Sequence, residues 1–119
     1  MKGFEEINRN KILEYLKQCW SKKSCDKWTP ENPSRGQCSV TSLIINEFYG
    51  GQILKTEVDN QWHFYNLIDG IRYDFTTEQF DFKFKYQDIE SNREEAFLDT
   101  SESQYKFLKV QMYKKFLME

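Results

Sequence analysis

Gln61-Trp62-His63-Phe64-Tyr65-Asn66-Leu67-Ile68-Asp69-Gly70-Ile71-Arg72-Tyr73-Asp74-Phe75 reads as a β-hairpin. The Gln61–Ile68 run is rich in aromatic and β-branched residues, and Asp-Gly is a strong two-residue loop signal because both positions need positive φ. The loop length sets the register: Ile68 faces Ile71, Tyr65 faces Asp74 and His63 faces Thr76. Side chains alternate between faces, so His63, Tyr65, Asp74 and Thr76 share one face. Asp74 is diagonal to His63, roughly 7–8 Å away between Cα atoms and within side-chain reach. Asn66, the other candidate partner for the imidazole, points to the opposite face.

Working outward, Gln52 to Glu57 reads as a strand and Val58-Asp59-Asn60 as a turn. Phe80, Phe82, Phe84 and Tyr86 alternate with polar residues and predict a further strand after a turn over Thr76–Gln79. Asp88 to Phe97 fits a short helix. Ser101-Glu102-Ser103-Gln104 is a capping box that opens a last helix, with Tyr105, Leu108, Met112, Phe116 and Leu117 facing inward. Upstream, the spacing of apolar residues between Phe4 and Trp20 predicts an amphipathic helix, with Glu6, Lys11, Glu14 and Lys17 on its polar face. Ser21 to Arg35 is a long loop. Ser34-Arg35-Gly36-Gln37 matches a capping box too, which makes Cys38 the fourth residue of the next helix. Val40, Leu43, Ile44 and Phe48 form one face of that helix, and Cys38, Ser42, Ile45 and Tyr49 another, so it is buried. Gly50-Gly51 ends it. The fold class is α+β: N-terminal helices, including a buried Cys-bearing helix packed on a small antiparallel sheet, and a C-terminal helix, in a single domain over residues 1–119.

Composition narrows the function. Aromatic residues make up 17% of the chain, so large rings supply much of the core. The net charge of −2 argues against nucleic acid as a partner. Lys83 and Lys85 among aromatics fit a solvated strand face better than a single-strand-binding surface. No apolar stretch reaches membrane-spanning length and no secretory signal opens the chain, so neither a membrane nor export is expected. Three cysteines, an odd number, fit reduced thiols in the cytoplasm. A Cys19–Cys25 disulfide is sterically allowed but does not suit that compartment. Cys19, Cys25, Cys38 and His63 lack the close cysteine pair of structural zinc sites, so no metal or other cofactor is expected.

The chemistry-bearing residues are Cys38, His63 and Asp74. A helix N-terminus leaves free N–H groups and a positive partial charge, both of which favour a thiolate. His63, the only histidine in the chain, is the candidate base, and Asp74 the group that fixes its tautomer. The Cys38 backbone N–H is one candidate oxyanion donor. Gln37, Asn32 and the Trp28 ring nitrogen are candidates for the second, and Tyr65, Asn66 and Thr76 complete the candidate substrate-binding set. The loop bearing Trp28 leads into the nucleophile and is the candidate wall of a cleft.

Asn32-Pro33-Ser34-Arg35-Gly36-Gln37-Cys38-Ser39-Val40-Thr41-Ser42-Leu43, Gly50-Gly51-Gln52-Ile53-Leu54-Lys55-Thr56, His63-Phe64-Tyr65-Asn66 and Tyr73-Asp74-Phe75-Thr76-Thr77-Glu78-Gln79-Phe80 resemble the small bacterial YunG-like family. Arg93 and Tyr105 to Leu108 fit the tail of that pattern. The resemblance implies a unit, not an activity. More distantly, the order Cys, His, Asp resembles papain-like and transglutaminase-like thiol enzymes. That likeness implies Cys38 as nucleophile, His63 as base and Asp74 as orienter, in a papain-like or transglutaminase-like core. Papain-type enzymes carry their oxyanion glutamine several residues before the cysteine, where this chain has Asn32. Two functions follow: a thiol hydrolase or acyltransferase acting on an amide, thioester or γ-glutamyl bond of a small-molecule or peptide substrate, or a non-catalytic binding or regulatory domain on the same fold.

Overall fold

The computed structural model describes residues 7–118. Phe4 and Glu6, assigned above to the first helix, lie outside them. Helix α1 spans Arg9–Cys19 and is capped by Asn8, whose side chain accepts from the Lys11 N–H. Its apolar stripe, Ile12, Leu16 and Cys19, is buried. Trp20 ends the helix, and its ring nitrogen donates to Thr41 Oγ1 at 2.9 Å, tying α1 to the next helix.

Residues 21–37 hold no helix and run through successive turns. Helix α2 spans Cys38–Tyr49, so Cys38 is its first residue and not the fourth. The reason lies in Gly36 and Gln37. Gly36 adopts φ +73°, which breaks helical geometry two residues before the thiol. Gln37, at the N-cap, makes no side-chain cap; its Oε1 accepts from Ser24 Oγ at 2.8 Å instead. Ser34 Oγ is buried with no hydrogen bond. The first capping box is therefore not formed, whereas Ser101 and Gln104 form theirs in full at the head of helix α4, Glu102–Leu117.

From Ser39 to Ile45 every α2 residue is buried, as a helix apolar on two faces requires. Val40, Ile44 and Phe48 pack with Ile12 and Leu16 of α1 and with Leu108, Met112 and Phe116 of α4. Burying each of these large side chains contributes roughly 1.5–3 kcal/mol. Leu117 is 79% exposed and does not join them. Gly51, at φ +78°, leaves the helix so close to the sheet that a Cβ there would lie 2.4 Å from the Leu67 carbonyl oxygen.

The sheet contains β1 (Gln52–Val58), β2 (Gln61–Ile68), β3 (Ile71–Tyr73) and β4 (Ile89–Glu90) in the antiparallel order β3-β2-β1-β4. Both hairpin loops use two residues with positive φ, Asp59-Asn60 and Asp69-Gly70. The β2–β3 register is the expected one, with Ile68 opposite Ile71 and Asn66 opposite Tyr73. The ladder stops there, however, short of Asp74 and Phe75. Asp74 Oδ1 accepts from the Thr76 N–H at 3.2 Å and turns the chain off the sheet.

Two expectations fail in the segment that follows. Residues 80–86 form no strand. Their alternating rings pack on one another and on β2: Phe80 and Phe84 on His63, Tyr86 on Tyr65. The stretch 88–97 is not one helix either. It contains β4, then the short helix α3 (Arg93–Ala96), followed by a 3-10 turn over Phe97–Asp99. Arg93 donates to Leu43 O, Asn46 Oδ1 and Tyr105 Oη, which joins α2 to α4.

Candidate functional site

Along β2, Phe64 and Asn66 face α2: Phe64 packs with Leu43, and Asn66 Nδ2 donates to Ser42 O at 2.9 Å. His63 and Tyr65 take the other face. The expected approach of α2 by its Cys38–Ser42–Ile45 face is therefore corrected. Ser42 is turned to Asn66, and Cys38 alone reaches the histidine, at the end of the helix. Short β3 makes room for this. Between Gln61 and Tyr65, β2 pairs only with β1, so its other edge is open where Cys38 arrives.

His63 Nε2 and Asp74 Oδ2 are 2.6 Å apart, with side chains 2% and 5% exposed. The same Oδ2 accepts from Tyr86 Oη at 2.7 Å, and Oδ1 holds the Thr76 N–H. The carboxylate is thus fixed by three residues. Phe80 and Phe84 stand edge-on to the imidazole at 5.0 and 5.5 Å between centroids. Burial in this apolar shell is the largest single effect on the ring and opposes its charge. The Asp74 hydrogen bond, followed by the effects of Cys38 and the Asp74 charge, outweighs it and pushes the histidine up to about 9. The neighbours of the ring therefore favour its protonated form.

With Nε2 taken by Asp74, Nδ1 is the nitrogen left for Cys38. Nδ1 is buried and completes no hydrogen bond among the described residues. The Cys38 thiol lies beside the ring, and its interaction with the imidazole favours the charged form. All three cysteines are free, Cys38 and Cys25 being partly exposed. Cys19 is buried, which pushes its thiol up. The first bond inside α2 runs from the Thr41 N–H to Gln37 O, so the N–H groups of Cys38, Ser39 and Val40 precede it.

A cleft of about 560 Å³ opens on this group, with Cys38, His63, Gln79 and Phe80 in its lining. The 21–35 loop supplies one wall, as expected, but through Cys25, Lys27 and Arg35. Trp28 instead packs against the main core, and its ring nitrogen is buried without a partner. Trp62 stands at the sheet side of the cleft under the Lys55 ammonium, 4.0 Å from the ring centroid.

A family model described as YunG protein matches residues 8–117. The chain belongs to the YunG family. It is 60% identical over 94 residues to a protein of Bacillus subtilis (strain 168) named uncharacterized protein YunG, across 79% of this chain and 82% of that one. No solved structure matches. The match to the YunG family model covers the whole site, from Cys38 through His63 to Asp74 and the segment behind it.

Within this YunG-family chain the side chains nominated as oxyanion or substrate donors are mostly engaged elsewhere. Gln37 is fully buried against Ser24, and Asn32 Nδ2 donates to Gln79 O at 3.1 Å. Asn66 is held by α2, and Thr76 by Asp74. Tyr65 Oη bridges Thr56 and Asp88 at 2.6 and 2.8 Å, and burial pushes its phenol up to about 12. Two residues of the site had no role assigned from sequence. Tyr86 was read as one of an alternating strand, and burial, followed by its hydrogen bond to Asp74, pushes its phenol up. Gln79 was read as part of a turn. Neither position carries a local signal, because each acts through a partner distant in the chain. Among the described residues no group of three or more His, Cys, Asp or Glu could hold a metal, and no helix is long and apolar enough to cross a membrane.

Proposed function

We propose that this chain is a thiol hydrolase or acyltransferase with a papain-like or transglutaminase-like arrangement. In it Cys38 is the nucleophile, His63 the base and general acid, and Asp74 the orienter. The observation that carries the reading is the divided imidazole: Nε2 is held by Asp74 at 2.6 Å, and Nδ1 is buried and left on the side of Cys38. Cys38 itself is the first residue of a buried helix, where free N–H groups gather. The Cys38 sulfur attacks the carbonyl carbon of an amide, thioester or γ-glutamyl bond. The C–N or C–S bond then breaks, and His63 gives its proton to the leaving amine or thiol. Water or a second amine releases the acyl group from sulfur. We place this reaction in a reducing cytoplasm and in one domain, since three free thiols suit that compartment.

The test is a panel of acyl-type electrophilic probes and small amide and thioester substrates, run on the wild type, Cys38→Ala and His63→Ala. Labelling and turnover vanish in Cys38→Ala and fall steeply in His63→Ala. Turnover that persists without Cys38 refutes the nucleophile. A panel without any labelling of Cys38 favours a binding or regulatory domain on the same fold.

A further inference from the structure

We propose that the side-chain amide of Gln79 is the second oxyanion donor, acting opposite the Cys38 backbone N–H. The assignment rests on the thiol-enzyme reading above and adds to it a group that the sequence left in a turn. Gln79 ends the 3-10 turn Thr77–Gln79, five residues after Asp74, and lines the same cleft as Cys38 and His63. Its position is fixed from two sides. Asn32 Nδ2 holds its backbone carbonyl at 3.1 Å, and the Gly36 N–H donates to its Oε1 at 3.2 Å. Gly36 is two residues before the nucleophile, so this bond brings the amide to the approach of Cys38. The residue must be glycine. At φ +73° an added Cβ would lie 2.8 Å from Cys25 Sγ and 2.9 Å from Lys27 Cβ.

Pinning Oε1 also decides which way the amide points, because its donor half is then the other edge. That half, Nε2, is buried and has no hydrogen-bond partner. A buried donor without an acceptor is costly in a folded protein and calls for an explanation. An oxyanion that exists only during the reaction explains it. The donor is held in place beforehand, and its bond strengthens as negative charge develops on the carbonyl oxygen. The amides of Gln37, Asn32 and Asn66 are all committed to other acceptors.

Two reactions of one thiol separate this role from a structural one. Iodoacetamide alkylates Cys38 by displacement of iodide at carbon, with no oxyanion. p-Nitrophenyl acetate acylates it through one: the sulfur–carbonyl bond forms, the carbon–oxygen bond breaks, and p-nitrophenolate leaves with the electron pair. Both rates are measured on intact protein for the wild type, Gln79→Ala and Gln79→Glu. Gln79→Glu keeps an acceptor for the Gly36 N–H while removing the donor, and covers the case in which Gln79→Ala does not fold. The ratio of acylation to alkylation falls about 10²- to 10³-fold in both variants. A ratio within about threefold of wild type, with Cys38 still alkylated rapidly, overturns the Gln79 assignment alone. Alkylation of wild-type Cys38 no faster than that of Cys25 overturns the thiol-enzyme reading beneath it.

Discussion

Asp74→Asn tests the centre of the site with a single reporter, because His63 is the only histidine in the chain. Proton NMR of its ring carbons therefore gives one titration curve. In the wild type the expected midpoint is about 9, raised from 6.5 by Asp74 and Cys38 against the effect of burial. Asparagine keeps the shape of the side chain but removes its charge and leaves burial largely unopposed, so the midpoint drops below 6.5. Cys38→Ala, which removes the smaller contribution, lowers it less. The interval from 6.5 to about 9 corresponds to about 3 kcal/mol. The sign follows from a raised folded-state value: the stabilisation is complete below about pH 6.5 and is lost as the pH rises through about 9. Urea unfolding at pH 6 should therefore show Asp74→Asn less stable than wild type by about 3 kcal/mol, with a smaller difference at pH 9.5. A wild-type midpoint at or below 6.5, or a variant that titrates like the wild type, would refute the assignment of Asp74 as the group that charges the ring.

Other outcomes are expected on the same terms. Mass spectrometry after partial alkylation with iodoacetamide should find Cys38 modified well before Cys19, which is buried, and before Cys25; equal labelling of all three counts against an activated thiol. Arg93→Ala removes three hydrogen bonds from a charged donor, to Leu43, Asn46 and Tyr105, and should cost about 2–4 kcal/mol in urea unfolding. Gly51→Ala, with a Leu67 oxygen in the way, should destabilise by more than Gly50→Ala, which meets nothing within 4 Å; the expected costs are about 3 and about 1 kcal/mol. Ser101→Ala should cost about 1 kcal/mol, whereas Ser34→Ala, which deletes an unpartnered buried hydroxyl, should be near neutral.

The two serines show where sequence reading works. Ser34-x-x-Gln37 and Ser101-x-x-Gln104 are the same pattern, and only the second becomes a cap. The difference is Gly36, whose left-handed backbone is fixed by Gln79, and Ser24, which takes Gln37. Both partners are distant in the chain. The β2–β3 register was legible because a two-residue loop fixes it locally. The same register placed Asp74 on the face of His63, and the two side chains do meet. The run 80–86 misled because rings that pack on a neighbouring face alternate much as strand residues do. Gln79 was out of reach for a related reason: its position depends on the 32–36 segment folding back on it.

Asp74 does two jobs with its two oxygens, one ending β3 and the other holding His63 and Tyr86. Replacing it therefore also loosens the turn, so folding alone favours keeping Asp74 whether or not the proposed chemistry is in use. Cys38 has no such protection, since its partly exposed side chain only borders the Leu43–Phe64 cluster. On the proposed thiol-enzyme reading, a descendant that gave up the chemistry should record that loss first at position 38, while the buried His63–Asp74 pair persists as inherited architecture.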